Sequence, residues 1–207
     1  MQSARVSDFP TYLRSKAIEG LSTLADAERA DTYVVSFYVH DDNDDPRFPI
    51  LTVGTNTEQQ VQMVTQPPSG SVRPHKWWSP TDETEARWNF AFWRQNEIAV
   101  IGDEIIDPAG AQLRRSWLES QGLWFDDGDF DSDDWMPRAE AVTKAFVGLC
   151  VDTVKELHRA GTIRDIFGRS IPVIIHELEY YDEIAAQNCE ANGGDLVSGL
   201  VGWIDSM

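Results

Sequence analysis

His176, Glu177 and Glu179, followed by Asp182, set a histidine among carboxylates in one short segment of the 207-residue chain. Such a group can hold a metal ion or exchange protons with a substrate. The segment ends an apolar run, residues 171–176, that reads as a buried strand. Strand alternation then points His176 and Leu178 to one face and Glu177 and Glu179 to the other. No second histidine completes the zinc-helix pattern H-E-x-x-H. An enzyme of undefined class, using His176, Glu177, Glu179 and Asp182 with or without a metal, is therefore the second reading rather than the first.

Residues 126–134 carry Asp127, Asp129, Asp131 and Asp133 at alternate positions, with Phe130 among them and Trp135 just beyond. Counted as a calcium loop from Asp127, Asp129 and Asp131 fall on ligand positions. Ser132, however, stands where the sharp turn requires glycine, and Arg138 where the bidentate glutamate belongs. The segment reads first as a solvated acidic loop, then as a loose, weak cation site, or as a surface for a basic protein, with Phe130 and Trp135 as apolar anchors. Asp41, Asp42, Asp44 and Asp45 form a second acidic run beside His40. Trp77 and Trp78, preceded by His75 and Lys76, group with Arg87 and Trp88 as an aromatic and basic set. Such residues cover a core, anchor an interface, or stack against single-stranded nucleic acid. The phosphate loop, the dinucleotide fingerprint, the nucleophile elbow and C-x-x-C are all missing. No cofactor and no resident metal is expected.

Charge narrows the choice of partner. Asp and Glu total 35 against 17 Lys and Arg, a formal net charge of −18. That field repels phosphate backbones and anionic membranes, and attracts basic proteins. Its simplest role is solubility. No run approaches the ~20 apolar residues of a membrane span. Cys150 and Cys189 each lie in a helical pattern, and two thiols suit a reducing compartment better than a disulfide scaffold. A cytoplasmic location is the expectation.

The elements that must position these residues suggest an α+β fold in a single domain over residues 1–207. A helix is predicted over residues 8–29, from Phe9, Leu13, Ala17, Leu21 and Leu24 at helical spacing. A strand follows over 32–40, with Tyr33, Val35, Phe37 and Val39 on one face. A returning strand covers 48–53, where Pro49 suggests an edge or an irregularity. Thr57 and Gln60 have capping-box spacing. Residues 66–80 form a proline-rich loop. Residues 86–93 fit a strand or a helix equally, and 97–101 fit a short strand. Asp107-Pro108 opens a helix to about residue 120. Pro137 opens the strongest helical pattern, which ends before Gly161. After the strand at 171–176 come short helices near 182–190 and 196–204. The early hairpin argues for a largely antiparallel sheet of about four strands packed by helices.

The strand Tyr33 to Tyr38, the later Asn56-Thr57-Glu58, and Arg87-Trp88 with Trp93 five residues on resemble an uncharacterised, mainly bacterial family, domain of unknown function 4303. The last strand leading through acidic residues into a helix with Asn188 and Asn192 fits the same resemblance. Phe90 and Phe92 stand where that family suggests Pro and Glu. The resemblance brings no catalytic residues. It implies an association with bacterial toxin systems, in which small acidic proteins act as immunity factors. The leading expectation is a non-enzymatic acidic binding protein for a basic partner protein. Its contact residues would be Asp127, Asp129, Asp131, Asp133, Phe130, Trp135, Trp77, Trp78 and Arg87. A structural module that binds another domain through the Trp77, Trp78 and Arg87 surface is the third reading.

Overall fold

Alternation along the first strand sets the layers. In β1, Thr32–Asp41, the side chains of Val35, Phe37 and Val39 are buried on one face. The computed structural model describes residues 8–67, 79–128, 135–177 and 179–207. β1 turns through a single 3-10 turn, Asp42–Asp44, into β2, Pro49–Thr57, and the pair is antiparallel with Phe37 opposite Val53. β3, Ala99–Ile101, adds antiparallel to β2, and β4, Val173–His176, adds parallel to β1 with Tyr38 opposite His176. The sheet order is β3-β2-β1-β4, so the fold is α+β with a mostly antiparallel sheet.

The first face packs against α1, Phe9–Ser22, and α6, Trp135–Arg159, through Phe9, Leu13, Phe146, Cys150 and Val154, and α5, Pro108–Ser120, capped by Asp107, lies beside α1 with Trp117 against Phe9. A shorter helix, α7, Thr162–Phe167, closes that layer with Ile163 and Phe167. The second face is covered over only part of its length. Val34 and Ile174 meet α3, Glu58–Thr65, α4, Glu83–Trp88, α8, Asp182–Asn192, and α9, Gly194–Ile204, through Val61, Ala86, Ile184 and Leu200. Beyond Val34 and Ile174 that face turns polar, with Ser36, Tyr38, His40, Thr52, Gly54 and His176. The candidate functional site lies there.

Several expectations change for local reasons. The first helix breaks after Ser22, and α2, Asp26–Asp31, follows as a separate element. The Thr23 backbone N–H and hydroxyl both bond the Gly20 carbonyl, the hydroxyl at 2.7 Å, and Leu24 turns into the core. Tyr33 leaves the face of Val35 because the register shifts between Thr32 and Val34, as at a β-bulge. Pro49 does not place β2 at an edge. It is the first residue of an interior strand, where a missing N–H does not interrupt the ladder. Residues 86–93 are neither a strand nor one helix. α4 ends at Trp88, and a 3-10 turn, Phe90–Phe92, capped by Asn89, follows. Only half of the capping box forms: Thr57 accepts from the Gln60 N–H, but the Gln60 side chain donates to the Phe92 carbonyl. α6 begins two residues before Pro137, in a first turn whose N–H groups have no intrahelical acceptor. No separate hydrophobic pattern in the sequence marks α7. It is set off by Gly161 and Gly168, whose φ of 78° and 70° glycine alone adopts without strain.

β4 lies at the edge of the sheet, yet its outer groups are satisfied. Asn192 accepts from the Val173 N–H (2.7 Å) and donates to the Val173 carbonyl (2.8 Å). Asn188 does the same for Ile175, at 2.8 Å in both directions. One turn apart on α8, the two amides imitate a neighbouring strand and block strand addition there. Cys150 is buried, Cys189 is half-buried, and both thiols are free. No helix among the described residues is long and apolar enough to cross a membrane.

Candidate functional site

Where the second face loses its helical cover, β1, β2 and β4 form the floor of a cavity of about 180 Å³. Residues 90–97 wall it, with Phe90, Trp93, Gln95, Asn96 and Glu97 in the lining. The wall approaches closely because Gly54 has no side chain: a Cβ there would sit 2.6 Å from the Asn96 carbonyl oxygen. Asn96 then extends the ladder beyond β3. Its Oδ1 accepts from the Thr55 N–H (2.9 Å) and its Nδ2 donates to the Thr55 hydroxyl (3.3 Å). Gln95 adopts φ 51°, a left-handed backbone that costs a non-glycine residue energy, at the rim of this wall.

A row of rings fills the floor. Tyr38 stacks on His40 (4.7 Å between centroids) and on His176 (5.4 Å), and His176 stacks in turn on Phe90 (4.8 Å). Trp93 stands perpendicular to His176 at 5.7 Å, its indole N–H held by the Arg87 carbonyl. His176 Nε2 lies 2.8 Å from the Ser36 hydroxyl, while its buried Nδ1 has no hydrogen-bond partner among the described residues. Burial pushes the His176 pKa down to about 3, so the ring is neutral at physiological pH. The pairing resembles a nucleophile and its base, but a base is effective when its pKa lies near the working pH. No carboxylate among the described residues bonds Nδ1 to stabilise a protonated ring. The arrangement is suited to hydrogen bonding and exclusion of water more than to proton transfer.

The four acid–base candidates do not converge. His176 lines the cavity. Glu177 follows the alternation to the other side, where burial, Asp41 and then Glu179 raise its pKa, and where it couples to Cys150. Glu179 and Asp182 are exposed, Asp182 in the first turn of α8. Among the described residues, no three His, Cys, Asp or Glu side chains are grouped to hold a metal ion.

Among the partner-binding candidates, Arg87 serves the fold. It forks onto Glu58 (2.9 and 2.7 Å) and lies over the Tyr33 ring at 4.5 Å. Asn56 donates to the Tyr33 hydroxyl (2.9 Å), which donates to the Arg87 carbonyl (2.6 Å). The Asn-Thr-Glu and Arg-Trp segments thus meet in one structural lattice. Trp135 opens α6 and is half-buried. Trp77, Trp78, Asp129, Phe130, Asp131 and Asp133 lie outside the described residues. Asp127 is described, and Arg47 joins it to the other acidic run. This nearly buried side chain donates to Asp45 (2.6 Å) and to Asp127 (2.7 Å). A second arginine, Arg114, is wholly buried, donates to the Pro49 and Gly102 carbonyls, and pairs with Glu104.

Composition did not reveal the cavity. Ser36 and His40 interrupt an apolar strand at positions of equal parity, and Gly54 sits opposite Ser36. That polar stripe was the available signal, and an argument from motifs passes over it. Comparison with known proteins finds no matching family model, no matching curated protein and no matching solved structure.

Proposed function

We propose that this chain is a non-enzymatic acidic binding protein that captures a basic partner protein, of the kind that acts as an immunity factor in the cytoplasm. The observation that carries the reading is the organisation of the acidic end. Arg47 fixes Asp45 and Asp127, Arg114 holds Glu104, and Asp41, Asp42 and Asp103 lie within electrostatic reach of Arg114. Both guanidinium groups are buried, whereas the Asp127 side chain is 93% exposed and Glu104 is 54% exposed. Asp127 and Glu104 therefore face outward from a fixed base, and an ordered surface loses less entropy when it binds.

The test is kinetic. A partner captured by the full chain from its host is identified, and its association is then measured at several salt concentrations. Replacing Asp42, Asp44 and Asp127 by Asn should lower the association rate about tenfold or more at low salt and flatten its salt dependence. Unchanged kinetics would reject the reading. The enzymatic alternative draws on the Ser36–His176 pair. It would gain if the purified chain hydrolysed small esters and Ser36→Ala abolished the turnover.

A further inference from the structure

Resting on that reading, we infer that the cavity on the open part of the sheet receives one arginine side chain of the basic partner. Among the described residues, Glu97 is the single formal charge in the lining, because His176 is held neutral. No Lys or Arg among the described residues pairs with this exposed carboxylate. The other walls are aromatic or neutral and polar: Tyr38, Phe90 and Trp93 offer apolar surface, and the Ser36 and Tyr38 hydroxyls offer acceptors. An aromatic pocket with one unneutralised carboxylate at its mouth selects a cation and rejects an anion. Among cations, guanidinium suits it better than ammonium. It is planar, more weakly hydrated, and carries five donors that can reach acceptors in several directions. The volume matches a small planar group, since a cavity of about 150 Å³ accommodates a single benzene ring.

Position links the cavity to the partner. His40 ends the ring stack and feels Glu97, Asp103 and Asp42 together. The cavity mouth and the acidic end are therefore neighbours. A basic surface steered by the acidic end would arrive with the pocket beside it. A buried arginine is a common energetic anchor of an interface, and charge alone supplies none.

The experiment uses the full chain labelled for NMR, with ethylguanidinium as probe and the isosteric, uncharged ethylurea as control. Ethylguanidinium should shift the amides of Gly54, Gln95, Glu97 and His176 saturably, and ethylurea should leave them in place. Glu97→Gln should weaken probe binding about tenfold while melting like the parent, as loss of a charged hydrogen bond predicts. Asp42→Asn with Asp44→Asn should slow partner association yet leave probe affinity within about twofold, because neither residue lines the cavity and each acts on the probe only through a salt-screened field. Equal binding of ethylurea, shifts centred on Asp42 and Asp127, or an unaffected Glu97→Gln would each overturn the pocket. If the probe fails while partner association still depends on salt and on Asp42 and Asp44, the pocket falls and the proposed function stands. If the probe binds in the cavity but no basic protein binds the chain, the proposed function falls, and the assignment to a partner's arginine falls with it.

Discussion

Two residues a few positions apart on neighbouring strands pull stability in opposite directions with pH. Burial keeps His176 neutral in the fold down to about pH 3, whereas an unfolded histidine takes up its proton near 6.5. Between those values the unfolded chain binds the extra proton. Stability therefore falls as pH falls, at a limiting slope of about 1.4 kcal/mol per pH unit. Asp41 behaves oppositely. Burial, then Asp45 and Asp44, raise its pKa to about 6, so the folded chain protonates first and gains stability as pH falls from about 6 toward 3.8. Glu177 is shifted in the same direction as Asp41. Chemical denaturation between pH 4 and 7 should separate them. Asp41→Asn should stabilise the chain at pH 7 and steepen its loss between pH 6 and 4. His176→Phe, which keeps the ring stack, should flatten or invert the same profile.

At the scale of elements, the edge of β4 depends on a helix rather than on another strand. Asn188 and Asn192 each satisfy one N–H and one carbonyl of β4 in buried surroundings. Loss of the Asn192 amide leaves both the Val173 N–H and carbonyl unpartnered, whereas loss of the Asn188 amide leaves the Ile175 N–H so, because Gln187 still donates to the Ile175 carbonyl (3.2 Å). Asn192→Ala should therefore cost about 2–4 kcal/mol in urea denaturation, and Asn188→Ala about 1–3 kcal/mol. Hydrogen exchange locates the effect: the Ile175 amide should lose protection in the Asn188 variant, and the Val173 amide in the Asn192 variant. His158 also bonds Asn192 Oδ1 (3.0 Å), tying α6 to the same edge. A variant that removes this bond alone should be milder, since both backbone groups keep their partner.

Across the whole molecule, charge opposes the fold. A net charge of −18 means that the excess carboxylates repel one another, even where Arg47 and Arg114 neutralise a few. Salt should relieve this. Raising the concentration from about 10 mM to 300 mM shortens the screening length from about 30 Å to well under 10 Å. The melting temperature should rise by roughly 2–4 °C, the equivalent of about 1 kcal/mol at this chain length. A protein held mainly by its surface ion pairs would lose stability under the same change. Calorimetry at constant pH distinguishes the two, and the same acidic excess underlies the salt dependence expected of partner association.

Periodicity determined much of this protein directly. Val35, Phe37 and Val39 alternate, Phe9, Leu13 and Ala17 recur at helical spacing, and Asp107-Pro108 opens its helix, because local sterics and the division between water and core act within a few residues. The acidic surplus was equally plain, being a property of composition. Tertiary structure decided whatever required distant partners. Tyr33 changes face at a register shift that only the pairing of β1 with β2 reveals. Asp45 and Asp127 share Arg47 although more than 80 positions separate that pair along the chain. Glu177 parts from His176 as alternation predicts, but the destination of His176, a ring stack with Tyr38 and Phe90, depends on a parallel pairing and on a wall that approaches because Gly54 has no side chain. Hydrophobic spacing records which side of an element is buried, not what lies against it, so the cavity and its single carboxylate emerge only when the strands and residues 90–97 are brought together.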